Sequence, residues 1–506
     1  MKLTYHLAAM GAVMGLSLSA FSSPVTAVLK LKEKVPVEQL AQEVRNPNSA
    51  RFAKFYSPKE IAALSGPSQA EYDQLISQLK AQGFEVVKES PTRLWVSIKA
   101  DSTLFDQVFK TQMLLVRGKG MKAFAVPQLP TEMPLVEKVL GLDKTRRSRP
   151  RLSVMAKDPQ ASPGGIAPAT IKSAYGFNPI YAANIDGSGQ DIAVATYNGF
   201  NISDVQYFYS YQKSNATVDQ VTFNGTPAYD EDSSVETELD AEFSGMMAPG
   251  ARVHVFASAT NDDAGELAMF TAILDDNRAK VVNYSWGGCE TELSSGHKDD
   301  MAKVFSRASA QGVNIMVASG DSGSDSCQNG GVVADWPAAN PDVVAVGGTT
   351  FTGSASKVSE DAWNGSGGGI SSLFDLPSWQ QILGSPYVKR SYPDVAFNAD
   401  PKSGQAVYAH SNGKVGWLTI GGTSMAAPQW SGFMALVGQG RQMAGKSNLG
   451  FLNPIIYSLS GDQQTGVFND VKSGSNGAYN AGPGWDAVTG FGSMKADSLL
   501  QQLVAN

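Results

Sequence analysis

From residue 166 onward, short apolar runs alternate with longer stretches whose apolar positions recur at helical spacing. Runs at 191–196, 253–257, 281–285, 314–318 and 343–346 are rich in Val, Ile and Ala and read as buried strands. Between them, apolar stripes predict helices over 233–247, 264–275, 301–311 and 426–439. Such alternation implies a doubly wound, mostly parallel sheet with any site at the carboxyl ends of its strands. The first third reads differently. Tyr72, Leu75, Ile76 and Leu79 form one helical stripe, opened by Ser68 and closed by Gly83, and Leu104, Phe105, Val108 and Phe109 form another. A short helix begins at Pro58, and runs at 84–87 and 94–98 predict strands around a turn at Pro91. Over residues 35–142 this pattern fits a ferredoxin-like α+β unit.

A chain of 506 residues has room for two or three such units. Residues 1–27 carry the marks of a secretory signal: Lys2, an apolar run from Leu7 to Leu18, and small residues at Val25-Thr26-Ala27. That run is too short and too rich in Gly and Ser for a membrane anchor, and no later run is long enough to span a bilayer. The expected division is a signal at 1–27, a first domain at 28–143, a linker at 144–165 and a large domain at 166–506. The mature chain is expected to be secreted (extracellular or periplasmic), free of the membrane and monomeric.

Charge divides the chain at the same place. Residues 28–151 hold 21 Lys/Arg against 13 Asp/Glu, whereas residues 152–506 hold 18 against 34. A basic part beside an acidic part implies mutual attraction rather than nucleic-acid binding, and that attraction weakens as carboxylates protonate. The linker opens on the basic run Lys144-Thr145-Arg146-Arg147-Ser148-Arg149-Pro150-Arg151, so a processing point is expected between Arg147 and Gly165. Cys289 and Cys327 are the only cysteines; in an exported chain they imply one disulfide, with two buried thiols as the alternative. So few thiols and histidines leave little for zinc.

The chemistry concentrates in Gly421-Gly422-Thr423-Ser424-Met425-Ala426-Ala427-Pro428. Small residues crowd one serine at the start of an apolar helix, where backbone N–H groups and the helix dipole face a reacting atom. The octet resembles the nucleophile motif of the subtilisin-like serine peptidases. Their triad needs an Asp ending the first strand and a His opening a helix. Here the first strand ends Ala195-Thr196-Tyr197. His6 falls in the signal, His254 lies mid-strand, His297 sits in a polar loop and His410 lies near Tyr408, so none opens a helix as the base.

A carboxylate base fills the gap. Glu236 and Asp240 are i,i+4 on a helix expected to be capped by Ser233 or Ser234, so their side chains can meet. Two adjoining carboxyls cannot both ionise easily, which leaves one able to take and return a proton at weakly acidic pH. Glu238 and Glu242 share that spacing, and all four residues could simply solvate the helix.

Glu236-x-x-x-Asp240 followed by Ala248-Pro249-Gly250-Ala251 resembles the catalytic helix of the sedolisins, the serine-carboxyl peptidases. The resemblance implies Ser424 as nucleophile, Glu236 as general acid/base and Asp240 as its partner. In Ser319-Gly320-Asp321-Ser322-Gly323 it implies Asp321, protonated, as oxyanion donor. Residues 46–55, Ser57-Pro58-Lys59-Glu60 and 81–86 are similar to the activation (pro-) domain of that family, which implies an intramolecular inhibitor and folding aid. Residues 282–288 resemble its edge strand for an extended polypeptide substrate.

Asp470 and Asp486 flank a tight Gly482-Pro483-Gly484 loop, a set suited to a hard cation or to nothing more than a capped turn. The resemblance implies one structural Ca2+ held by the carboxylates of Asp470 and Asp486 and the carbonyls of Val471, Gly482 and Gly484. Taken together the expectation is a self-processing, acid-acting endopeptidase. The rivals are a neutral subtilisin-like peptidase and a non-catalytic peptide binder.

Overall fold

The computed structural model describes residues 23–117, 120–154, 158–293, 295–384, 386–459 and 461–506. The first domain is built on strand β1 (Pro24–Leu31), helices α1 (Val37–Arg45) and α2 (Gln69–Ala81), strands β2 (Glu85–Glu89) and β3 (Trp95–Asp101), helix α3 (Ser102–Phe109) and strand β4 (Val136–Leu140). Its antiparallel sheet runs β2-β3-β1-β4, the ferredoxin-like order the pattern implied. Ser68 caps α2 with a full capping box to Glu71, and Tyr72, Leu75, Ile76 and Leu79 face the core as expected.

One boundary differs. The border expected after Ala27 falls inside β1, where Val25, Ala27, Val28, Leu29 and Leu31 are buried and Ala27 pairs with Ile98. A cut there would remove half of a central strand, so the domain begins upstream of it. The apolar run of the expected signal, within residues 1–22, lies outside the described residues.

The linker then lays down two short extended pieces, β5 (Arg149–Pro150) and β6 (Ser153–Val154). In the large domain follow β7 (Asp191–Thr196), β8 (Thr217–Val221), α4 (Glu231–Met247), β9 (Arg252–Ala257), α5 (Asp263–Asp276), β10 (Val281–Tyr284), β11 (Trp286–Cys289) and α6 (Ser295–Ala310). Beyond them come β12 (Asn314–Ala318), β13 (Asp335–Trp336), β14 (Val344–Phe351), β15 (Glu360–Ala362), β16 (Val395–Asn398), β17 (Gln405–Ser411), β18 (Lys414–Gly421) and α7 (Thr423–Met443). The main sheet runs β8-β9-β7-β10-β12-β14-β15, with β16 also on β14; only β15 is antiparallel. It is the doubly wound, mostly parallel sheet that the alternation predicted.

Helices α4 and α7 pack on one face of this sheet, and α5 and α6 on the other. The first domain docks on α5 and α6. Val28, Val37, Leu40, Val44 and Trp95 share one apolar core with Leu267, Phe270, Met301 and Phe305. Charge complementarity surrounds that core: Arg45 pairs with Asp342, Lys138 with Asp300, Lys144 with Asp262, and Arg146 with Asp263 and Glu266. The charge division was therefore legible from sequence, but the larger apolar contact beneath it was not.

Candidate active site

Helix α4 starts two residues earlier than its stripe suggested because Asp230, rather than Ser233 or Ser234, caps it: the Asp230 side chain accepts from Ser233 N. The helix is buried along nearly its whole length between α7 and β17, so its acids do not solvate it. Glu236, Glu238, Asp240 and Glu242 are all 0% exposed. Glu238 and Glu242 point away to Asn201 N and Tyr408 N, whereas Glu236 and Asp240 lie on the side facing Ser424. Burial, reinforced by Asp240, pushes Glu236 well above the usual carboxyl range. Neither Glu236 oxygen closes a hydrogen bond of ordinary geometry, although Ser424 is near enough to favour the ionised form. Asp240 is also raised by burial; its Oδ1 accepts from Ser285 Oγ at 2.6 Å.

Helix α7 begins at Thr423, three residues earlier than the stripe predicted, and so takes Ser424 into its first turn. Gly422 makes the approach possible. It has φ 101°, and a Cβ there would lie 2.3 Å from Arg151 O and 2.5 Å from Asp321 Oδ2. Both oxygens therefore border the space beside Gly422. Asp321 follows β12 at the carboxyl edge of the sheet and is raised by burial to about 6, against the opposing donors of Thr423. Its Oδ1 accepts from both Thr423 N and Thr423 Oγ1 at 2.8 Å, which fixes the carboxyl and leaves Oδ2 toward the linker and Ser153.

The linker fills this cleft. Arg149 pairs with Gly287 and Pro150 with Trp286, antiparallel, while Ser153 and Val154 pair with Gly421 and Ile420 on the far side of Ser424. Residues 282–288, expected to resemble a substrate strand, thus do pair with an extended peptide through β11. The cleft is covered by the linker itself, not by the folded part of the first domain.

Among the described residues no histidine reaches Ser424. His254 bonds Asp191 and Asp219, and His410 bonds Asp204. His297 is not in a loop: it lies in the first turn of α6, buried, where it bonds Glu266 beside Arg146. Cys289 and Cys327 are bridged, joining the end of β11 to the loop after Asp321. Asp470 and Asp486 do converge on one loop, accepting from Gly484 N and Gly482 N respectively. Among the described residues no group of three or more His, Cys, Asp or Glu could hold a metal. The donors at this loop are all hard oxygens, which fits a calcium-like cation only if carbonyls complete the set.

Two residues went unseen in the sequence: Arg151, whose backbone meets Ser424, and Asp335, whose carboxylate meets the Arg151 side chain. Extended pairing carries no periodicity, and residues 151 and 335 are brought together only by the fold.

A model described as the pro-kumamolisin activation domain matches residues 20–144, and one described as the subtilase family matches residues 225–449. Fold and matches together define a subtilisin-like serine-type peptidase preceded by an activation domain. Sedolisin of Pseudomonas sp. (strain 101) is 31% identical over 94% of this chain and 86% of its own. Kumamolisin of Bacillus sp. (strain MN-32) is 37% identical over 73% of this chain and 71% of its own. The structure of Pseudomonas sedolisin, a serine-carboxyl proteinase complexed with two molecules of pseudo-iodotyrostatin, aligns at TM-score 0.60 and 30% identity over 68% of this chain and 100% of that one. The chain belongs to the sedolisin family, and it is a serine-carboxyl peptidase zymogen whose activation domain is an intramolecular inhibitor. Among the described residues no helix is long and apolar enough to cross a membrane.

Proposed function

We propose that this peptidase is a secreted, acid-acting endopeptidase that processes itself, with Ser424 as nucleophile, Glu236 as general acid/base, Asp240 as its partner and Asp321 as oxyanion donor. One observation carries the reading: two fully buried carboxyls, Glu236 and Asp240, and the partly buried Asp321 gather around Ser424, with no histidine among the described residues near it. With two adjoining buried carboxyls that resist ionising together, Glu236 is the one that accepts the Ser424 proton as Oγ attacks the carbonyl carbon. The oxyanion receives hydrogen bonds from Ser424 N–H and from protonated Asp321. Collapse breaks the C–N bond, Glu236 returns the proton to the leaving amine, and water repeats the cycle on the ester. Endopeptidase action is supported by the linker, which runs through the cleft and out on both sides of Ser424.

A structural calcium held by Asp470 and Asp486 with the carbonyls of Val471, Gly482 and Gly484 completes the proposal; it stiffens that loop and takes no part in the chemistry. Ser424→Ala tests the centre. The variant is expected to remain a full-length proform without turnover, while the wild type processes itself and shows maximal kcat/KM at roughly pH 3–5. A maximum at about pH 7 or above would return the base to a histidine.

A further inference from the structure

We propose that Arg151–Leu152 is the bond cut in self-processing, and that Asp335 makes the adjoining pocket select arginine on the acyl side of the cleaved bond. This rests on the catalytic reading above and adds its substrate class. Backbone geometry sets the register. Arg151 N donates to Ser285 O at 3.0 Å, and Ser424 N donates to Arg151 O at 2.8 Å. The Arg151 carbonyl thus occupies the place where an oxyanion would form, and Asp321 Oδ2 borders the same space beside Gly422. The flanking pairs, Arg149 with Gly287 before the bond and Ser153 with Gly421 after it, hold the chain on both sides of the nucleophile.

The side chain is held as firmly. Arg151 is 4% exposed, and its Nη2 forms an ion pair with Asp335 Oδ2. Asp335 is positioned independently: Ser326 Oγ donates to the same oxygen at 2.6 Å, and Asp335 N donates to Tyr392 Oη at 2.7 Å. Gly287 leaves the room, since a Cβ there would lie 2.6 Å from Asp335 Oδ1 and 3.1 Å from Arg151 Nη2. A buried carboxylate facing a glycine-lined wall fits a guanidinium and penalises an apolar or acidic side chain that leaves it unpaired. In the step itself Ser424 Oγ forms an ester with the Arg151 carbonyl carbon. The Arg151–Leu152 C–N bond breaks, the serine proton passes through Glu236 to Leu152 N, and water releases the Arg151 carboxylate.

The test has two arms. Intact mass of the wild type after acidification should give a mature chain beginning at Leu152, with Ser424→Ala uncut. Mature enzyme is then assayed on quenched peptides Ser-Arg-Pro-Xaa-Leu-Ser-Val, with Xaa Arg, Lys, Leu or Glu. Burial raises Asp335 to about 6 among Arg151, Glu290 and Tyr392, so kcat/KM is read at pH 4 and at pH 6.5. At pH 6.5 Arg should exceed Leu at least tenfold, and Asp335→Asn should lower that ratio at least tenfold. A different mature N-terminus, equal rates for Arg and Leu in the wild type, or an unchanged ratio in Asp335→Asn would overturn the inference. If Ser424→Ala were cut at the same bond, or turned over peptide, the catalytic reading would fail with it. Ample turnover without arginine preference would overturn only this proposal.

Discussion

Replacing Asp321 with asparagine separates the hydrogen bond this residue supplies from the proton on which it depends. Oδ1 already accepts two hydrogen bonds from Thr423, so an asparagine in the same rotamer keeps its carbonyl oxygen there. Its amide nitrogen then takes the place of Oδ2, beside Gly422 and the linker, and is a donor at every pH. The aspartic acid, raised by burial to about 6, donates only while protonated. Its protonated fraction is about 99% at pH 4, about half at pH 6 and about 1% at pH 8. Two units correspond to about 2.7 kcal/mol, close to the about 2.7–4 kcal/mol lost when an oxyanion donor is removed outright. Wild-type kcat should therefore fall roughly tenfold per unit above pH 6. The asparagine variant should stay within about tenfold of wild type at pH 4 and exceed it at pH 8, whereas Asp321→Ala should lose about 10²–10³-fold at pH 4 and progressively less above pH 6, where the wild type loses its own donor. The assay is kcat at saturating peptide from pH 3 to 9, because the shift belongs to the occupied cleft. If Asp321→Asn loses activity at the same alkaline pH as the wild type, the limb belongs to another group and the donor role is refuted.

Three further outcomes follow from buried charges and the loop acids. Glu238 is raised by burial to about 8, so its contribution to stability is full below its unfolded value and is lost as pH rises through about 8, by about 3 kcal/mol at pH 7. Glu238→Gln should shrink the fall in Tm between pH 5 and 7.5, and an undiminished fall would refute this. Burial would raise Glu266, but Arg146 and His297 outweigh it and hold it at about 2, so the Arg146 contribution is present above about pH 4 and lost as pH falls through about 2. Arg146→Ala leaves that buried carboxylate to His297 and two neutral donors, at a cost of up to about 3–5 kcal/mol. Size-exclusion of the processed complex should show the prodomain released at neutral pH; a complex as tight as wild type would refute it. Chelation should lower the Tm of the mature chain, and Asp470→Asn with Asp486→Asn should remove that sensitivity. A Tm indifferent to chelator would refute the calcium assignment.

How far the sequence reached depended on what each element needed from its side chains. β7 and β12 were legible residue for residue because buried parallel strands must be apolar on both faces. The Glu236–Asp240 pair was legible because helical spacing alone puts the two together, but their complete burial was not, since α7 and β17 supply it from far along the chain. β1 was hidden by its likeness to the end of an export signal: small and apolar residues serve both. His297 read as a loop residue because the first turn of α6 is polar and lacks a stripe. β11 carries two glycines and needs no pattern, because it recognises backbone with backbone.

Residues 149–154 lie in the cleft while still joined to both folded parts, and this fixes how silence depends on quantity. A tethered segment meets its site at an effective concentration on the order of millimolar, however dilute the protein. After the proposed cut at Arg151–Leu152, the part of that segment left on the prodomain competes only at the concentration of free prodomain. Dilution then becomes the second switch. A crowded store of processed molecules stays quiet, and the same molecules dispersed into a large volume do not.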